Sequence, residues 1–170
     1  MAACWAPNAS IDVSWFQGDA TAFIKASERM SASGTISLHH LSPSVVNVRG
    51  DRALAETDAQ LSGFNQLDGV EVCGVHFARL LWRAVKIDGV WRLCGLRMIY
   101  IRDYLLLTDP SRPPTLDQAE LKRCRPSYRY LAYVLNRGGH PARDDLLGVD
   151  RPESVEALRS SEAHWLETGA

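Results

Sequence analysis

The chain has no apolar run approaching the roughly 20 residues that a membrane-crossing helix needs, and its start, MAACWAPNAS, lacks the basic and apolar regions of a secretory leader. These absences lead us to expect a soluble, cytoplasmic protein with no membrane partner. The four cysteines, Cys4, Cys73, Cys94 and Cys124, lie far apart with no CxxC pair. That argues against structural zinc and a disulfide framework, so reduced thiols and no metal are expected. Neither charge is in excess: 19 basic residues stand against 20 acidic ones, for a net charge of −1. Bulk attraction to nucleic acid is therefore not expected. There is no GxGxxG, phosphate-binding loop, HExxH or GxSxG, and hence no sign of a bound cofactor. Repeats and low-complexity stretches are also missing. At 170 residues the chain is long enough for one core of ordinary size.

What the chain does have is a β-rich stretch from Ile36 to Tyr104, punctuated at Gly50-Asp51, Asp68-Gly69 and Asp88-Gly89. Long β-rich runs separated by such dipeptides predict antiparallel hairpins. With Asp88-Gly89 as a two-residue turn, Ile87 faces Val90, Arg83 faces Cys94, Leu80 faces Arg97, His76 faces Ile101 and Gly74 faces Asp103. Side chains alternate between faces along a strand. One face then carries Ala78, Leu80, Trp82, Ala84, Trp91, Leu93, Ile99 and Ile101, interrupted near one end by His76, Arg97 and Asp103. The other carries Arg79, Arg83, Arg92 and Arg102 among Phe77, Leu81, Leu96 and Tyr100. An apolar face with a few polar groups at one end is the pattern of a lined pocket. His76 and Asp103 come out as diagonal neighbours, within about 7–8 Å. A single β-bulge between the turn and residue 76 would flip the assignment.

On either side the pattern changes. Residues 8–16 alternate as a strand, ended by Gly18-Asp19, and Asp19 can cap a helix over ATAFIKASERM. Ser31 to Gly34 reads as a linker. After Tyr104 comes the proline-rich TDPSRPP, then a short helix opened by Thr115 and stopped by Pro126. A second helical pattern runs from Ser127 to Arg137 with Gly138-Gly139 as its stop. Asp150 and Glu153 form a capping box, with Pro152 in the first turn of a last helix whose apolar side is Val155, Leu158, Trp165 and Leu166. The expected organisation is a domain over residues 1–107 and a helical extension over 108–170 packed on it.

The order of a helix, HHLSPSVVNVRGDRALAE, and a hairpin ending in DGVWRLCGLRMIYIRDY resembles the SnoaL-like branch of the NTF2-like superfamily. The matching pieces are a His before an extended strand, a Gly-Asp-x-Ala turn, and Trp-Arg-Leu with an Arg six residues after the Trp. The resemblance covers about residues 4–104. It implies an α+β fold, a strongly bent antiparallel sheet forming a cone-shaped half-barrel against helices, with a pocket on the concave face. It also implies a homodimer. Enzymes of the family act without a cofactor as dehydratases, isomerases or cyclases on small, mostly apolar, polyketide- or steroid-like molecules, pairing a His with a carboxylate. The family His corresponds to His39 or His40, and the last-strand Arg and Asp to Arg97 and Asp103. The family normally begins with a long helix that closes the wide end of the cone, with an Asp near it that often partners the His. The resemblance here begins after that helix, so either the start is truncated or a different segment, such as the C-terminal helices, closes the cone. Asp12 and Asp103 remain as the acidic candidates.

Each candidate has two readings. Adjacent residues on a strand point to opposite faces, so only one of His39 and His40 can enter a pocket, as a general base or as a hydrogen-bonded core residue. His76 with Asp103 could hold a tautomer-fixed imidazole or be a polar pair at a sheet end. Arg97 in an apolar face needs a partner, either an acid or the oxyanion of a ligand. Trp15, Trp82, Trp91, Leu80, Ile99 and Tyr100 are the ligand-contacting candidates, the tryptophans also being natural core residues. The arginine stripe reads as paired surface charge or a dimer interface, not as a nucleic-acid site.

Overall fold

The computed structural model describes residues 2–32, 36–138 and 141–169. Its centre is three long antiparallel strands: β5 (Arg52–Leu67), β6 (Val70–Ile87) and β7 (Val90–Leu107). They are joined by Asp68-Gly69 and Asp88-Gly89, whose φ angles of 50° and 72°, and 50° and 78°, are the paired positive values of a two-residue hairpin turn. Around them stand β1 (Trp5–Val13), β2 (Phe16–Asp19), β3 (Ser37–Leu41) and β4 (Val45–Arg49). The order is β2-β1-β7-β6-β5-β3, with β4 also on β5, and β1 runs parallel to β7. The fold is α+β, with a large curved sheet that does not close. The strand expected over 8–16 is instead a hairpin, turning at Ser14-Trp15.

The register of the β6–β7 hairpin starts as the turn dictates and then slips twice. Ala84 pairs with Leu93 but Arg83 with Gly95, and Ala78 pairs with Tyr100 but Phe77 with Arg102. Cys94 and Ile101 are the extra residues of two bulges. The first flips β7, so Leu96, Met98 and Tyr100 join Leu80 and Trp82, while Arg97 and Ile99 move to the opposite face. The second restores the phase, and Asp103 lands directly opposite His76.

The face carrying Trp82, Leu80, Ala78 and His76, here the inner face, holds the main core. Helix α1 (Ala20–Ala32) contributes Phe23; α2 (Gln118–Arg123) and α3 (Arg129–Arg137) contribute Leu121, Ala132 and Tyr133. Asp19 caps α1 as expected, accepting the Ala22 N–H at 2.9 Å. Asp117, not Thr115, caps α2. Gly138 ends α3, and Gly139 lies outside the described residues, as do positions 33 and 34 of the linker.

The outer face meets α4 (Pro152–Thr168), whose Leu158 packs with Leu81 and Ile99. Pro152 occupies the first turn, but Asp150 is no cap. Its carboxylate is held by Arg125, at 2.8 and 2.9 Å, and by the Ser127 hydroxyl at 2.6 Å. That knot keeps residues 147–149 against β7, where the Tyr100 N–H donates to Leu147 O and the Val149 N–H to Tyr100 O. Of the arginine stripe, Arg83 is paired by this helix, while Arg79 pairs with Glu56 and Asp58 of β5. Arg83 bonds Glu162 at 2.6 Å and lies over the Trp165 ring, Arg49 meets Glu167, and Glu56 of β5 receives Arg159 in a two-pronged contact.

Candidate active site

The bulges bring His76 and Asp103 together. His76 Nδ1 lies 3.5 Å from Asp103 Oδ2, with the imidazole side chain 12% exposed and the carboxylate 1% exposed. Such a buried carboxylate needs compensation, and α3 supplies part of it. The Leu131 N–H donates to Asp103 Oδ2 at 2.7 Å. Leu131 is the third residue of α3, and Tyr128 before that helix offers no side-chain cap, so Asp103 caps α3 from across the fold. Asp103 Oδ1 and His76 Nδ1 are buried with no hydrogen-bond partner. His76 Nε2 is not cut off in this way. The pair sets one imidazole nitrogen, Nδ1, toward the carboxylate at 3.5 Å, the arrangement that can orient an imidazole.

His39 shares the inner face. It pairs with Leu61 of β5, which pairs with His76, so the two backbone positions stand two strand spacings apart, about 9–10 Å. His39 is exposed on an edge strand, yet desolvation by neighbouring atoms lowers its pKa. His40 is exposed on the outer face.

Four expectations are corrected. Arg97 is exposed on the outer face opposite Leu81, so it cannot steady charge beside His76. Ile99 is buried beneath α4, away from the inner face. Tyr100, a ligand-contacting candidate, is instead a core residue: it is 1% exposed, its ring meets Tyr128 edge-on at 5.4 Å, and burial pushes its pKa up to about 12. Asp12 pairs with Arg143 and is not among the contacts of His39, His40 or His76.

Leu80 is in the inner core. Trp82 donates to Thr57 Oγ1 at 3.3 Å. Trp91 lies with it in an open apolar hollow of about 400 Å³, lined also by Val46, Val48 and Leu93. Trp15 stacks on Phe23 with ring centroids 5.3 Å apart, in the hairpin turn. A second hollow, of about 430 Å³, lies between the outer face and α4. His76 lines neither. Among the described residues no group of three or more His, Cys, Asp or Glu side chains is placed to hold a metal ion. Among the same residues no helix is long and apolar enough to cross a membrane.

Sequence reasoning missed two participants. The Leu131 N–H belongs to an element far along the chain, and no local pattern marks it. Gly74 stands two residues before His76 on the same face, and that spacing was a readable signal.

The signature of the SnoaL-like domain matches residues 1–97, and the chain belongs to that family. Two relatives from Fusarium vanettenii are a PEP2-like protein, 27% identical over 157 residues, and Pea pathogenicity protein 2, 29% identical over 157 residues. Each match covers 85% of this chain and 66% of the relative, so the chain spans just under two thirds of their length. Among solved structures, a putative scytalone dehydratase from Novosphingobium aromaticivorans superposes with a TM-score of 0.48 at 15% identity, over 70% of this chain and 79% of that one.

Proposed function

We propose that the chain is a cofactor-independent acid/base catalyst acting on a small, mostly apolar molecule. The reaction class is dehydration, double-bond shift or cyclisation. The observation that carries this reading is the His76–Asp103 pair: Nδ1 faces a buried carboxylate at 3.5 Å, with the imidazole itself 12% exposed. In this scheme His76 Nε2 takes a proton from a carbon next to a carbonyl, and the imidazolium is stabilised through Nδ1–H by Asp103. Membership of the SnoaL-like family supports the class of chemistry. Dimerisation belongs to the same proposal. The exposed surface of 9859 Å² exceeds the ~8300 Å² typical of a monomer of this mass, and Val45, Val46 and Val48 are all exposed.

A second reading is a binding module without turnover. It is favoured by the open hollow around Trp82 and Trp91, whose lining includes no titratable side chain. The experiment that decides combines imidazole ¹⁵N spectra with a dehydration assay on small β-hydroxy ketones. Under the catalytic reading, Asp103→Asn changes the His76 ring signals and His76→Gln abolishes turnover. Ring signals indifferent to Asp103→Asn would remove the catalytic reading and leave the binding module.

A further inference from the structure

The residue that decides where the His76 ring lies is Gly74. A Cβ built on Gly74 would fall 2.9 Å from His76 Nε2, closer than real Cβ atoms come, and 3.1 Å from Cε1, so the imidazole would have to move from its seat. The imidazole thus occupies the space of the missing side chain, leaning back along β6. The backbone gives no reason for glycine here, since Gly74 is not among the glycines with positive φ. Glycine also weakens a strand relative to a residue with a side chain. Gly63, which pairs with Gly74 across β5, is different: a Cβ there would meet only Asn65 Nδ2, at an ordinary 3.6 Å.

We propose that Gly74 is a positioning residue for His76. Its missing side chain seats the ring so that Nδ1 is committed to Asp103 and Nε2 is the nitrogen that meets a ligand. The inference rests on the reading of His76 as the proton-carrying group. It adds a definite ring orientation and tautomer: the proton of the neutral ring sits on Nδ1, toward the carboxylate, and Nε2 is the basic nitrogen. Gly74 itself touches no substrate in this account.

The pair of facing glycines provides its own control. Two-bond ¹⁵N–¹H spectra of the imidazoles, with His76 assigned by its loss in His76→Gln, report which nitrogen carries the proton. Gly74→Ala is expected to move His76 away from the Nδ1–H pattern and lower the urea midpoint, whereas Gly63→Ala leaves the pattern in place. In a His76→Ala background the clash is gone, and Gly74→Ala should no longer lower the midpoint. If Gly74→Ala fails to fold while Gly74→Ala/His76→Ala folds, the steric argument stands. Two single variants with the same effect on the ring, or a double variant as damaged as Gly74→Ala alone, would overturn it. The two proposals fail separately. Wild-type ring signals indifferent to Asp103→Asn remove the acid/base reading; signals that respond to Asp103→Asn but are unmoved by Gly74→Ala remove only the positioning role.

Discussion

Replacing Asp103 tests the join between sheet, α3 and His76. Its carboxylate is 1% exposed, accepts the Leu131 N–H at 2.7 Å and faces His76 Nδ1 at 3.5 Å. Loss of a helix cap costs about 1 kcal/mol, and leaving a buried N–H without an acceptor costs about 1–3 kcal/mol. Both figures describe the same lost bond, so Asp103→Ala is expected to destabilise by about 1–3 kcal/mol. Asp103→Asn keeps an oxygen for Leu131 and loses only the charge at the helix N-terminus, worth about 1 kcal/mol when partly buried. Urea denaturation at neutral pH reads the difference. With slopes of about 1–3 kcal/mol per molar, the alanine variant should lose about 1 M in midpoint and the asparagine variant less. Hydrogen exchange adds a local readout, because the Leu131 amide should lose protection in Asp103→Ala. An alanine variant within about 0.5 kcal/mol of wild type, the range of an ordinary surface substitution, with Leu131 still protected, would refute the capping argument.

Other expectations follow from the paired outer face. Arg83→Ala strands Glu162, which is 5% exposed, and breaking a buried pair in this way costs about 3–5 kcal/mol; limited proteolysis should then cut within 152–168 first. Arg97→Ala, at an exposed site on the outer face, should change stability by less than about 0.5 kcal/mol and leave the His76 ring signals unmoved. The Arg125 and Ser127 contacts hold the Asp150 carboxyl below its ordinary value, and Arg159 does the same for Glu56. As the pH falls, the unfolded chain takes up these protons first. The stability the two groups contribute is thus full above about pH 4–5 and disappears as the pH drops through their lower folded values. Asp150→Asn should flatten the acid limb of a stability-against-pH curve, and an unchanged limb would contradict the assignment.

The amino-acid sequence by itself determined those features whose cause lies within a few residues. The Asp-Gly turns follow from two adjacent residues that tolerate positive φ, and the three long strands from the β-rich runs between them. The Asp19 cap follows from a carboxylate one residue ahead of α1. The order of these elements was enough to place the chain beside the SnoaL-like family. Gly95, next to the first bulge, was a legible hint of irregular pairing in β7; we find no such mark at Ile101. A β-register has period two, so the first bulge alone exchanged the faces of Arg97, Ile99 and Tyr100, and the second, unmarked one returned Asp103 to His76.

The remaining decisions were tertiary. Asp103 capping Leu131, Arg83 meeting Glu162 and Asp150 serving Arg125 all join residues many positions apart. Asp150 shows the reason most directly. Its local pattern favoured a capping box worth about 1 kcal/mol, but two charge-assisted bonds from Arg125 and one from Ser127 outweighed it, and that competition exists only once the chain has folded.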